Sequence, residues 1–194
     1  MNTTLRKSIL GIAGLTAAAG LAAGPLNHTV GEPTPANPVA VVQADKPDTG
    51  KLLPHGTPTG QSTIELNDEQ VGNVKAIIAA TKKAGMDERA AVVSIATALQ
   101  ESKLENLGHL GDRNDHDSQG LFQQRPSSGW GTVEQITDPE YSTLAFLKGL
   151  KQVDGWQDMP LTEAAQTVQV SAYPDHYAQW EQQAADLVAQ HWTS

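Results

Sequence analysis

Apolar residues recur at helical spacing along most of the chain beyond residue 62, and most runs carry their own start signal. Asn67 and Gln70 form a capping box. Val71, Val74, Ile77 and Ile78 make the apolar stripe behind it, which stops before Gly85. Asp87 caps a second helix that points Val92, Ile95, Ala96 and Leu99 inward and carries Glu101 at its end. Asp138 followed by Pro139 opens a third, whose buried side is expected to hold Tyr141, Leu144, Ala145 and either Phe146 or Leu147. Thr162 starts a helix through Ala165 and Val168 that ends near Tyr173. A last helix runs from Asp175 with Tyr177, Trp180, Leu187 and Val188 inward. Between 103 and 131 Gly, Asp and Asn predominate, so a loop is expected there, followed by a short turn from Thr132. No segment reads as a strong strand. The predicted fold is mainly α.

Ahead of these helices the pattern changes twice. Arg6 and Lys7 precede an apolar run from Ile9 to Ala23, rich in Gly and Ala, which reads as a secretory signal over residues 1–23 with cleavage after Ala19 or Ala23, Ala44 being a more distant alternative. The run is short for a membrane span, and no later stretch is long or apolar enough for one. Seven of the eleven prolines then fall between Pro25 and Pro58, with neither helical nor strand period, so residues 24–62 read as a disordered tether. The helical domain is expected over 63–194, the whole as a secreted monomer.

Composition narrows the chemistry. The chain has no cysteine, which excludes a thiolate nucleophile and zinc held by thiolates, and leaves stability to a packed core. Its net charge is −9, and loss of the signal would remove Arg6 and Lys7 but no acid. An acidic surface is a poor partner for nucleic acid and would be repelled by anionic polymers, so a glycan would have to be held by stacking and hydrogen bonds.

Glu101 is the candidate for catalysis. It ends Ala90–Gln100, eleven residues without a charged side chain, and Gly120-Leu121-Phe122-Gln123-Gln124 begins nineteen residues later. Burial and the negative end of the helix dipole both penalise an ionised carboxylate, so its pKa is expected to rise, as a general acid in glycoside cleavage requires. In the segment Ser118 to Gln124, Gly120 would allow close backbone approach to a ligand. The Gln123 and Gln124 amides would bond sugar hydroxyls or N-acetyl groups, while Leu121 and Phe122 read as core. Trp130, between Gly129 and Gly131, is placed at a groove edge, Tyr177 and Trp180 in the core, and Arg125 in a structural ion pair.

Glu101-Ser102, then Gly120-Leu121-Phe122-Gln123, then Ala172-Tyr173 resemble in order the Glu-Ser, Gly-Leu-Met-Gln and Ala-Tyr-Asn signatures of soluble lytic transglycosylases in the lysozyme-like superfamily. Gln100 to Trp130 is also similar to small secreted actinobacterial proteins of that superfamily. The likeness spans about Leu66 to Trp180, with Phe122 in place of methionine and Pro174 in place of asparagine. It implies a lysozyme-like helical fold, peptidoglycan glycan strands as partner and substrate, no cofactor, and Glu101 as the single acid. Tyr173 would orient Glu101, and Gly120 to Gln123 would form the groove wall beside the scissile bond.

Two questions stay open at this level. In a transglycosylase the sugar's own 6-hydroxyl attacks after protonation by Glu101. In a hydrolase a water attacks with help from a second carboxylate, for which Asp117 is the foremost candidate. The loop Gly111 to Asp117, with His109 nearby, also has metal-ligating residue types, but its spacing departs from a calcium loop and it reads better as a polar loop that caps itself; no metal is expected. The alternatives to an enzyme are a non-catalytic wall-glycan binder of the same fold and an exported metal-binding protein.

Overall fold

The charge-free run becomes the central helix. In a computed structural model, which describes residues 47–193 apart from 115, 172 and 174, the helices are α1 (Thr49–Leu52), α2 (Asp68–Lys83), α3 (Glu88–Ser102), α4 (Val133–Ile136), α5 (Pro139–Leu150), α6 (Leu161–Gln169) and α7 (Glu181–His191). The protein is mainly helical. Among the described residues the β-type pairing is the isolated bridge between Gln119 and Gln124. Every residue of α3 from Arg89 to Leu99 is buried. A helix with no solvent face needs cover on all sides, and α1, α2, α5, α6, α7 and the 3-10 turn His176–Trp180 supply it. No helix among the described residues is long and apolar enough to cross a membrane.

The caps read from sequence are present. Asn67 Oδ1 accepts from Gln70 N at 2.9 Å while Asn67 N donates to Gln70 Oε1 at 2.8 Å. Asp87 and Asp138 accept from Ala90 N and Tyr141 N respectively.

Four expectations need correction. The packed chain begins before residue 62. Leu52 of α1 is 1% exposed, its carbonyl accepts from Arg89 Nη1 at 2.8 Å, and Thr57 and Gln61 bond to Gln182 and the Ala178 carbonyl. The segment from 47 to 62 is thus part of the domain. The expected signal and residues 24–46 of the tether lie outside the described residues. Helix α5 is rotated relative to the expected face: Ser142, Thr143, Phe146, Leu147 and Leu150 are buried, whereas Tyr141, Leu144 and Ala145 are only half-buried. Helix α6 stops at Gln169, because Val170 adopts a left-handed conformation (φ 53°). The final element is not one helix, since a 3-10 turn (His176–Trp180) leads into α7.

Candidate active site

Glu101 sits in the last turn of α3, half-buried, and the Tyr177 hydroxyl donates to its Oε1 at 2.6 Å. Tyr177 itself is fully buried. Burial, and after it the negative charge of Glu101, push the Tyr177 hydroxyl well above the ordinary tyrosine range, so it stays a donor. The turn that carries Tyr177 is tied to the helix that carries Glu101. Gln100 Oε1 accepts from Trp180 Nε1 at 2.9 Å and from Gln179 Nε2 at 3.0 Å, and the Lys103 amine lies 4.8 Å over the Trp180 ring. Lys103 also donates to the Leu99 carbonyl at 3.0 Å, so a cation covers the end of the helix. Burial pulls the Lys103 amine below its usual range while the neighbouring Glu101 charge opposes that shift.

The segment after the loop is fastened to the same helix tip. Ser102 Oγ donates to the Leu121 carbonyl at 2.8 Å, which is the structural use of the residue following Glu101. Leu121 and Phe122 are in the core, Phe122 stacked on Phe146 with centroids 5.1 Å apart. Gly120 has φ 76°, and a Cβ there would lie 2.1 Å from the Ile136 carbonyl oxygen. Its backbone approach is therefore to the chain's own α4, not to a ligand, which corrects the expectation for this glycine. Gln123 folds back onto the Gly120 carbonyl at 3.0 Å, and Gln124 donates to the Ser142 carbonyl at 3.1 Å.

Between these parts lies a cleft of about 650 Å³. Glu101, Ser118, Gln123, Gln124 and Trp130 line it, and Val168 to Ser171 with Tyr173 form the facing lip. Gln169 anchors that lip by donating to the Phe122 carbonyl at 2.8 Å. Val170, a β-branched residue in the left-handed region, is 79% exposed at the lip. Such a conformation costs energy that a featureless loop would avoid.

Several expected site residues thus converge on one cleft: Glu101, Ser118, Gln123, Gln124, Trp130 and Tyr173 all line it. The role expected of Tyr173 falls to another residue. Tyr173 is 62% exposed and stacks on His176, whereas Tyr177, expected only as core, makes the hydrogen bond to Glu101. Ala172 and Pro174, which flank Tyr173, lie outside the described residues. Asp117 does not line the cleft as a second carboxylate. It accepts from Ser127 N at 2.8 Å, from Ser127 Oγ at 2.8 Å and from Arg125 Nε at 3.0 Å. Those bonds, the Ser127 backbone first, hold its carboxyl well below the usual carboxylate range, which makes it a poor base and a good loop clasp. The pairing also bears out the structural role expected of Arg125. In the 109–117 loop, Asn114 bonds the carbonyls of His116 and Ser118, and Gly111 N bonds His109 Nδ1. Among the described residues no group of three His, Asp or Glu is placed to hold a metal, and Asp115 lies outside them. Ser102 and Gln169, which hold the cleft together, carry no separate sequence signal of that role.

No protein-family model matches this sequence, and no curated protein sequence matches it.

Proposed function

We propose that this chain is a secreted peptidoglycan-cleaving glycosidase of lysozyme-like fold that works with Glu101 as general acid and base. The observation that carries the reading is a carboxylate lining an open cleft while a buried tyrosine hydroxyl grips its Oε1. Tyr177 can donate to that oxygen in either protonation state, to the carboxylate or to the carbonyl oxygen of the acid. In this reading the transferable proton is carried on Oε2. Glu101 protonates the glycosidic oxygen as the bond to the anomeric carbon breaks, and charge builds on that carbon. The same carboxylate then accepts a proton from the attacking hydroxyl.

The rest of the cleft bears on which hydroxyl would attack. Among the described residues lining it, Glu101 is the one carboxylate. Inverting hydrolysis needs a second carboxylate to activate water from the opposite face. With Asp117 bound up in its own loop, attack by the sugar's 6-hydroxyl is the better fit, giving a 1,6-anhydro product.

The test is digestion of purified peptidoglycan, with Glu101→Gln beside the wild type and products read by mass spectrometry. Anhydro-muropeptides are expected from the wild type alone, with the variant folded and at least about a hundredfold slower. Reducing-end products would replace the transglycosylase by a hydrolase. Binding of wall glycan without cleavage would leave a glycan-binding protein.

A further inference from the structure

Helix α5 has two apolar faces and the fold covers one. Its inner face packs through Phe146, Leu147 and Leu150. Tyr141, Leu144, Ala145 and Lys148 lie at i, i+3, i+4 and i+7, and this second stripe is left half-open. Together with Trp130 and Gln152 it lines a separate groove of about 570 Å³, within the range of ligand pockets. Trp130 belongs to both cavities, so this groove adjoins the Glu101 cleft across a single indole. The junction is closely built. A Cβ on Gly131 would stand 3.0 Å from the Tyr141 ring and hydroxyl, so Tyr141 packs against the turn that presents Trp130.

The two cavities differ in chemistry. The Glu101 cleft is lined by polar side chains, Gln123, Gln124, Arg125, Ser118 and Ser171, with the Gln123 and Gln124 amide nitrogens already bonded to the Gly120 and Ser142 carbonyls. The groove offers aromatic and aliphatic carbon, with Lys148 and Gln152 at its edge. Lys148 is exposed and, among the described residues, takes part in no ion pair or hydrogen bond, although the chain as a whole is acidic. Beyond the Trp130 and Tyr141 rings, which can stack on a sugar, the lining is aliphatic with one cation and is poor in the hydrogen-bonding groups that sugar hydroxyls need. It suits a short segment with small aliphatic groups and a carboxylate.

We propose that this groove takes the carboxylate-bearing peptide branch of a wall glycan whose sugar backbone lies in the Glu101 cleft. The inference rests on the glycan reading above and adds the site that tells peptide-bearing strands from bare ones. The branch leaves the sugar chain at Trp130, lays its small side chains on Tyr141, Leu144 and Ala145, and brings a carboxylate to the Lys148 amine.

Binding to the Glu101→Gln protein tests this apart from catalysis, with a wall disaccharide carrying a tetrapeptide compared by calorimetry with the same disaccharide lacking it. The peptide-bearing ligand should bind about tenfold more tightly, a difference of roughly 1.4 kcal/mol. Adding Lys148→Glu should erase that preference, adding Lys148→Arg should keep it, and Lys151→Glu, three residues along and outside the groove, should leave it within about twofold. Equal affinity for the two ligands, no binding of either, or equal loss from Lys151→Glu would overturn the proposal. The two readings separate in the outcome. A wild type that leaves peptidoglycan uncut while the Lys148-dependent preference persists would defeat the cleavage reading and keep the groove. Cleavage without the preference would do the reverse.

Discussion

Tyr177 and Glu101, 76 residues apart in the chain, meet hydroxyl to carboxylate at 2.6 Å, and the contact joins a 3-10 turn to the tip of the central helix. A hydrogen bond to a charged group contributes about 1.5–3 kcal/mol, so Tyr177→Phe should lower kcat about tenfold to a hundredfold with KM little changed. Tyr173→Phe should leave kcat within about twofold, since that hydroxyl is not the one on Glu101. The same contact sets a pH dependence. Tyr177 has its folded pKa raised, so its contribution to stability is complete below the unfolded value of about 10 and is lost as pH rises beyond it. Urea midpoints at pH 8 and pH 11 should therefore fall further for the wild type than for Tyr177→Phe.

Gly120 gives a second prediction, one that separates a structural glycine from a ligand-facing one. With φ at 76° and the Ile136 carbonyl 2.1 Å from any added Cβ, Gly120→Ala must displace either α4 or the 118–124 segment. A cost of roughly 3 kcal/mol or more is expected, read as a lowered urea midpoint with unchanged slope. A variant of wild-type stability but weakened glycan binding would show that this glycine faces the ligand instead.

The helices were readable because their caps and their missing charges are local signals: Asn67 with Gln70, Asp87, Asp138 before Pro139, and the uncharged run that becomes α3. Glu101 was readable for the same reason, as the first charge after that run. The orienting tyrosine was not. Tyr177 has an apolar body that reads as core and a polar tip whose partner lies in a distant helix, and no spacing rule links the two. The buried face of α5 is not legible from its apolar residues alone. Ser142 and Thr143 are buried at no polar cost, since their hydroxyls bond the carbonyls of Asp138 and Pro139 one turn back. That exchange frees Tyr141, Leu144 and Ala145 for the groove.

Asp117 tests how many carboxylates the proposed reaction needs. If it only clasps the loop, Asp117→Asn should keep cleavage within a few-fold and leave the product distribution unchanged. A second catalytic carboxylate would instead cost about a hundredfold or more. Its pKa is depressed in the fold, so the stabilisation it gives is present above the unfolded value of about 3.9 and is lost as pH falls below it. The wild type should therefore lose more stability than Asp117→Asn between pH 5 and pH 2, as followed by thermal melts.

The start of the domain is the last point open to measurement. Arg89 and Glu181 form an ion pair at 2.7 Å with side chains 4% and 3% exposed, and Leu52 lies over it, its carbonyl on Arg89 Nη1. The Leu52 carbonyl is one of the two acceptors this buried guanidinium has among the described residues, its Nε and Nη2 being buried without a partner, so α1 is a lid on this pair and not the end of a tether. Leu52→Ala should then cost about 2–4 kcal/mol, as a core leucine does, whereas a tether leucine would cost nothing measurable. In a domain of this size that loss lowers the melting temperature by roughly 5–15 °C. Lys51→Ala, one residue earlier and exposed, is the control and should melt with the wild type. Equal melting of all three proteins would return residues 47–62 to the tether.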